Sequence, residues 1–220
     1  MFRSDQDHPS IQARALLVNL KAEEADGQTA RELFDAMGIQ WIAVGNEGLD
    51  KTEAQNLGSA DLPEGDPERM QIREDPPAGT VVPDGTKLLV MAAFTRDEVE
   101  KFLEDYRQSE APPIRLKAIA THNNIHWRVR SLAEELEREH QMMSLFTALA
   151  RAVQAVETMD PADYTESSWE PLAIEAKLAA QHVEKIRQQT DVPIPDLRRN
   201  WQALQSALNE LIPETNNDIE

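Results

Sequence analysis

The residues best suited to chemistry lie together in the stretch KAIATHNNIHW, from Lys117 to Trp127. The stretch begins like a β-strand and ends like the start of a helix, and it contains two histidines, two asparagines and a threonine. Because free backbone N–H groups at a helix start favour an anion, this pattern predicts a site for a phosphate or a carboxylate. The candidate ligand-binding residues are Lys117, Thr121, His122, Asn124, His126 and Trp127.

A structural interpretation of the same stretch is simpler. Threonine and asparagine at such positions satisfy backbone donors in turns and at helix starts, which is the role expected of Thr121 and Asn124. In this interpretation Trp127 packs on the sheet and Lys117 is a solvated strand residue. Both interpretations stay open at the level of the sequence.

Metal and catalytic chemistry have weaker signals. His122 and His126 have the i, i+4 spacing of a shared metal, but no HExxH motif and no carboxylate at a motif spacing accompanies them. The patterns GxxxxGK[ST], GxGxxG and GxSxG do not occur in the chain. We therefore predict no metal, no cofactor and no catalytic residue, and an enzyme that lacks a short motif is the second alternative.

The charge of the chain limits its partners. It has 40 acidic and 22 basic residues, a net charge of −18, and no run of Lys and Arg. Such a chain repels nucleic-acid phosphates and anionic lipid headgroups, so neither nucleic acid nor membrane is expected as a partner. No cysteine is present, no apolar run approaches the length of a membrane span, and MFRSDQDHPS is unlike a signal peptide, which indicates the cytoplasm.

The first part of the chain, residues 13–141, has an α/β pattern. Apolar runs at residues 15–20, 39–45, 86–94 and 114–121 predict four strands. Helical patterns follow the first, third and fourth of these runs, and Thr95 with Glu98 predicts a capping box at the second helix. Two βαβ halves favour an α+β fold with a ferredoxin-like split sheet. A doubly wound sheet of four parallel strands is the alternative.

A long insertion separates the two halves. Residues 46–85 contain five prolines, ten acidic residues and three basic residues. Because few large apolar residues occur there, the composition predicts an irregular or partly disordered segment.

The last part of the chain, residues 142–213, predicts an antiparallel bundle of three amphipathic helices. The segments DPADYT and TDVPIP separate these helices. Tyr164 and Trp169 are a candidate interaction surface, although an N-cap at Thr165 and a core position for Trp169 explain the same residues. Residues 1–12 and 214–220 are expected to be flexible tails.

Two family resemblances follow from these patterns. Residues 13–141 resemble a bacterial domain of unknown function, the one numbered 3783. Its signature of Lys-Ala, then Thr-x-x-Asn-x-x-Trp and a helix rich in Leu and Glu, is carried here by Lys117, Ala118, Thr121, Asn124 and Trp127. His122 stands where members of that family often have proline. The resemblance implies an α/β fold and no established activity.

The second resemblance covers residues 143–213, which are similar to a FIVAR repeat. The matching residues are Tyr164, Thr165, Ser168, Trp169, Leu204, Ala207, Leu208 and Leu211. The resemblance implies a three-helix module that acts as a spacer or a binding module, usually in surface proteins of Gram-positive bacteria. Without a secretion signal we do not expect the surface location to apply here.

The sequence therefore predicts a non-catalytic binding or interaction protein. A sensor of a small anion at the turn 117–127 is the first alternative. The predicted partner is an unidentified protein or a small anion, and the predicted state is a monomer or a weak homodimer.

Overall fold

A computed structural model describes residues 12–58, 82–121 and 124–214. The chain divides into two compact units, with the boundary between Arg138 and Glu139, close to the predicted boundary after residue 141. The two tails predicted to be flexible lie outside the described residues, except for residues 12 and 214.

The first unit combines four strands with helices. In chain order its elements are β1 (Arg14–Val18), α1 (Ala25–Ala36), β2 (Gln40–Val44), α2 (Glu53–Leu57), β3 (Leu88–Ala92), α3 (Arg96–Gln108), β4 (Leu116–Ala120) and the start of α4 (Val129–Glu157). A 3-10 turn, Asn46–Gly48, precedes α2. The capping box predicted at α3 is confirmed, because the Thr95 side chain accepts from the N–H of Glu98 and the Glu98 side chain accepts from the N–H of Thr95.

The strands form one mixed sheet in the order β2-β1-β3-β4. Within each half the two strands are parallel neighbours, and β1 pairs antiparallel with β3, with Val18 opposite Leu88. The predicted α+β class is confirmed, but both predicted topologies are wrong. A split βαβ arrangement requires a strand between β1 and β2, and a fully parallel sheet excludes the antiparallel pair at the centre.

Side chains of the central strands alternate between two apolar clusters, one on each face of the sheet. On one face, Ala15 and Leu17 of β1 pack with side chains of α1 and α3. The rings of Phe34 and Phe102 stack there with centroids 4.4 Å apart. On the other face, Leu16 and Val18 belong to the second cluster.

Residues 49–57 of the predicted insertion pack on that second face. Leu49, Ala54 and Leu57 are buried against the sheet, together with Val129 and Leu132 from the start of α4. The prediction of irregular structure is therefore wrong for residues 46–57. Residues 59–81, which make up most of the rest of the predicted insertion, lie outside the described part of the chain.

The second unit consists of the later part of α4, a 3-10 turn at Pro161–Asp163, α5 (Glu166–Arg187) and α6 (Ile194–Asn209). The three helices share one apolar cluster, whose fully buried members are Leu149, Leu172, Ala179, Leu197 and Leu204. The separate predicted helices on either side of residue 141 are one helix, because neither Pro nor Gly interrupts the sequence EREHQMMSLF.

Candidate functional site

Backbone hydrogen bonds from Asn124 and Ile125 to Thr121 form a turn directly after β4, within the predicted anion-binding stretch. The side chain of Asn124 closes it, because its Oδ1 accepts from the backbone N–H of Thr121 at 2.6 Å and its Nδ2 donates to the carbonyl of Ile119 at 3.1 Å. The Thr121 carbonyl accepts from the N–H of Ile125 at 2.9 Å. Both ends of the Asn124 amide are therefore used within the turn, as in other turns closed by asparagine.

The remaining predicted ligand-binding side chains differ in exposure. Lys117 and His126 are exposed, whereas Trp127 is half-buried and packs against the apolar cluster. The Lys117 ammonium donates to the carbonyl of Ile114, and partial burial of that charge lowers the pKa of Lys117. His122 lies outside the described residues.

Helix α4 begins at Val129, two residues after the end of the stretch Lys117 to Trp127. The first N–H groups of this helix have protein acceptors: the N–H of Val129 donates to the carbonyl of Lys51 at 3.0 Å, and that of Arg130 to the carbonyl of Leu49 at 2.8 Å. An anion at this helix start would have to displace these bonds. The arrangement favours the structural interpretation of the stretch.

Backbone hydrogen bonds also run in the other direction, from the start of α2 to the segment before α4. The N–H of Glu53 donates to the carbonyl of Trp127 at 3.2 Å, and the N–H of Ala54 donates to the carbonyl of Ile125 at 3.0 Å. Residues 49–54 and 125–130 form what we term the Glu53 junction. It fixes the start of α2 and the start of α4 through one reciprocal set of backbone hydrogen bonds.

Charged side chains at the rim of the Glu53 junction form exposed ion pairs. Arg130 Nε lies 3.0 Å from Asp50 Oδ1, and its Nη2 lies 3.9 Å from Asp84 Oδ1. The hydrogen bond to Asp50 is the main cause of the raised pKa of Arg130. Both carboxylates are mostly exposed, so each pair contributes at most about 1 kcal/mol.

Glu53 has an environment that is unusual for an acidic residue. It has 0% exposure, and neither of its carboxyl oxygens has a hydrogen-bond partner among the described residues. Burial raises the pKa of Glu53 to about 8, because removal from water penalises the charged form. The side chain is therefore a neutral carboxylic acid across most of the pH range in which other glutamates are ionised.

The sequence interpretation missed Glu53, although a local signal was present. The tetrapeptide TEAQ, residues 52–55, has the S/T-x-x-E/Q spacing of a capping box. In the structure Thr52 caps α2, and Gln55 completes the box. This signal predicts a helix start inside the insertion, but it says nothing about burial of the acidic residue.

The candidate interaction residues of the second unit lie beside another junction. The rings of Tyr164 and Trp169 stack with centroids 5.8 Å apart, and both side chains are half-buried. Thr165 is the N-cap residue of α5 as predicted, although its side chain makes no capping hydrogen bond. Its backbone N–H donates to the carbonyl of Ile212 at 2.9 Å.

Ser168 joins this start of α5 to the segment after α6. Its Oγ accepts from the N–H of Ile212 at 3.1 Å and donates to the carbonyl of Thr165 at 3.0 Å. Residues 163–168 and 212–214 form what we term the Ser168 junction. The conspicuous Tyr-Thr-x-x-Ser-Trp pattern therefore holds the end of the second unit together.

Other kinds of site have little support in the described residues. Within residues 12–58, 82–121 and 124–214, no group of three or more His, Asp or Glu side chains is placed to hold a metal ion. In the same ranges, every helix is too short or too polar to span a bilayer.

Comparison with known proteins gives one match. The model of a family described as Domain of unknown function (DUF3783) matches residues 87–143, about a quarter of the chain. This supports the predicted resemblance from β3 to α4, and its extension to the earlier residues stays a prediction. No curated protein and no solved structure matches the chain. The resemblance to FIVAR repeats also stays a prediction.

Proposed function

We propose that this chain is a non-catalytic interaction protein that binds a protein partner through the exposed face of α5. The observation that carries the proposal is an apolar ridge on this helix. Ile174 is 59% exposed and Leu178, one turn later, is 38% exposed. Pro171 is exposed one turn before Ile174. These three residues form what we term the α5 ridge.

The position of the α5 ridge distinguishes it from the core-facing side of the same helix. Leu172, Ala176 and Ala179 belong to the apolar cluster of the second unit. At 100° per residue, Ile174 and Leu178 lie on the opposite side of the helix from this cluster. Apolar side chains one turn apart on a helix are the usual anchors for a groove on a partner protein, and isolated exposed leucines carry no such implication.

The finer architecture belongs to the same proposal. The second unit is in this proposal a FIVAR-like, antiparallel bundle of three helices, which fits the shared apolar cluster of α4, α5 and α6. A bacterial source and a cytoplasmic location are further parts of the proposal. The contacts of Thr165 and Ser168 with Ile212 support the idea that the family pattern is structural. In this proposal the binding surface is the α5 ridge, and Tyr164 with Trp169 stabilises the module that presents it.

Affinity capture from a bacterial lysate tests the proposal. We expect a partner that the wild-type protein retains at micromolar concentration and that Ile174→Asp with Leu178→Asp loses. Met143→Asp is the matched control, because Met143 is 50% exposed on another helix of the second unit. Capture that is equal for the ridge variant and the control, or no specific capture by the wild type, would contradict the proposal.

A further inference from the structure

We propose that Glu53 is a proton-controlled lock on the Glu53 junction: the protonated side chain stays buried and the junction stays closed, whereas ionisation drives the side chain into water and opens it. This device is independent of the α5 ridge. It would change the exposure of the second sheet face in response to pH.

The carboxyl group of Glu53 lies in an apolar environment without a hydrogen-bond partner among the described residues. Glu53 is fully buried beside Ala54 and Leu57, which belong to the apolar cluster. An ionised carboxylate in such a place is far more costly than a neutral acid. The structure is therefore compatible with the protonated form and penalises the charged one.

Among the described residues, no charged side chain forms a hydrogen bond with the Glu53 carboxyl group that would offset this penalty. Helix α2 packs against β1 and β2 and bonds to the segment 125–130. The charged and titratable side chains on these elements and beside α2 are Arg14, Asp50, Lys51, His126, Arg128 and Arg130. Arg14 donates to the carbonyls of Leu57 and Gly58, and Arg130 donates to Asp50. Burial is the cause that raises the pKa of Glu53 to about 8.

Glu53 also lies at a place where few hydrogen bonds hold the junction closed. The N–H groups of Glu53 and Ala54 bond to the segment 125–130, and those of Val129 and Arg130 bond to the segment 49–54. Helix α2 has only five residues, so it has little stability of its own. Ionisation of one side chain at its first position acts directly on this junction.

Linkage gives the expected size of the effect. An opened Glu53 has the ordinary pKa of 4.5, whereas the buried one has a pKa of about 8. Between these values each pH unit raises the opening constant about tenfold, on the order of a thousandfold in total. Above about pH 8 the opening constant becomes constant again.

Hydrogen exchange measured from pH 5 to pH 9 tests the proposal on the full chain. Protection factors are corrected for the intrinsic pH dependence of amide exchange and compared in the regime where closing is faster than exchange. In the wild type we expect protection of residues 49–54 and 125–130 to fall by up to about a thousandfold as the pH rises through this range. Peptides from α6 serve as the internal reference.

Two variants separate the lock from other causes. Glu53→Gln keeps the shape and removes the charge, so its protection factors should not change with pH. Glu47→Gln is the control, because Glu47 is an exposed carboxyl just before the segment 49–54 and its substitution should leave the wild-type response intact. If Glu53→Gln fails to fold at pH 5, Glu53→Met takes its place. A flat response in the wild type, or a wild-type response in the neutral variant, would overturn the proposal.

Discussion

The Glu53 junction and the Ser168 junction have similar backbone contacts but bury different side chains. Each joins the start of a helix to a segment distant in the sequence through backbone hydrogen bonds, and each buries a polar side chain. In the Ser168 junction the hydroxyl both donates and accepts. In the Glu53 junction the carboxyl group has no hydrogen-bond partner among the described residues.

The difference shows how a buried polar group becomes either structural or responsive. A hydroxyl has one donor and two acceptor positions and no charge at any ordinary pH, so Ser168 stabilises its junction at every pH. A carboxylic acid can be buried alone only while it holds its proton. The stability of the Glu53 junction must therefore depend on pH, and that of the Ser168 junction must not.

The largest expected effect is on the pH dependence of unfolding. Folded Glu53 keeps its proton up to about pH 8, whereas the unfolded chain loses it near 4.5. In this window the folded state binds more protons, so raising the pH favours unfolding, by up to ~5 kcal/mol in total. Urea denaturation at pH 5 and pH 8 should show wild type losing stability relative to Glu53→Gln. If the difference in the free energy of unfolding between wild type and Glu53→Gln were the same at pH 5 and pH 8, the contrast between the two junctions would be contradicted.

The next effect concerns the Ser168 junction. Ser168→Ala leaves the N–H of Ile212 without its acceptor, which should lower the free energy of unfolding by about 1–3 kcal/mol. The loss should be the same at pH 5 and pH 8. Ser167→Ala is the matched control, because Ser167 is exposed and its loss should cost less than about 0.5 kcal/mol. Equal losses in the two variants, measured by urea denaturation, would contradict the role of Ser168.

A smaller effect is expected from loss of the N-cap of α2. Thr52→Ala removes the side chain that accepts from the N–H of Gln55 at 3.1 Å, and N-cap losses of this kind cost about 1 kcal/mol. We expect faster amide exchange in residues 53–57, whereas Thr52→Ser should behave as wild type. Unchanged exchange in Thr52→Ala would show that the junction and not the cap holds this helix.

The smallest effect separates the two interpretations of the turn after β4. Asn124→Ala removes the bonds to Thr121 and Ile119 and should lower the free energy of unfolding by about 1 kcal/mol. Because Asn124 closes the turn, any shift of the melting temperature with inorganic phosphate should be equal in wild type and variant. A phosphate shift that the variant loses, in a thermal melt at constant ionic strength, would restore the anion site.

Local signals allowed part of this structure to be predicted from the sequence. The capping box of Thr95 and Glu98, the strand runs and the break before Tyr164 each depend on neighbours in the chain, so they are visible in the sequence. The strand order was not predictable in this way. A right-handed crossover connects adjacent strands as well as strands one place apart, and only the tertiary structure selects between them.

The candidate site was harder to predict for the same reason. Residues 117–127 were the predicted site because their side chains are of types that bind anions, yet Asn124 uses its amide in hydrogen bonds to Thr121 and Ile119. Glu53 looked like one of the acids of a solvated, proline-rich segment. The N–H of Glu53 bonds to the carbonyl of Trp127, which lies far away in the sequence, and no local pattern in the sequence indicates that these two segments meet.

Titration of the Glu53 carboxyl group by NMR tests the central claim most directly. With ¹³C-labelled glutamate, the resonance that is missing in Glu53→Gln identifies the residue. The account predicts that this resonance titrates well above 4.5, with an apparent pKa of up to about 8 for the closed junction. A midpoint near the ordinary value of 4.5 would show that the folded protein holds an ionised Glu53 and would contradict the account.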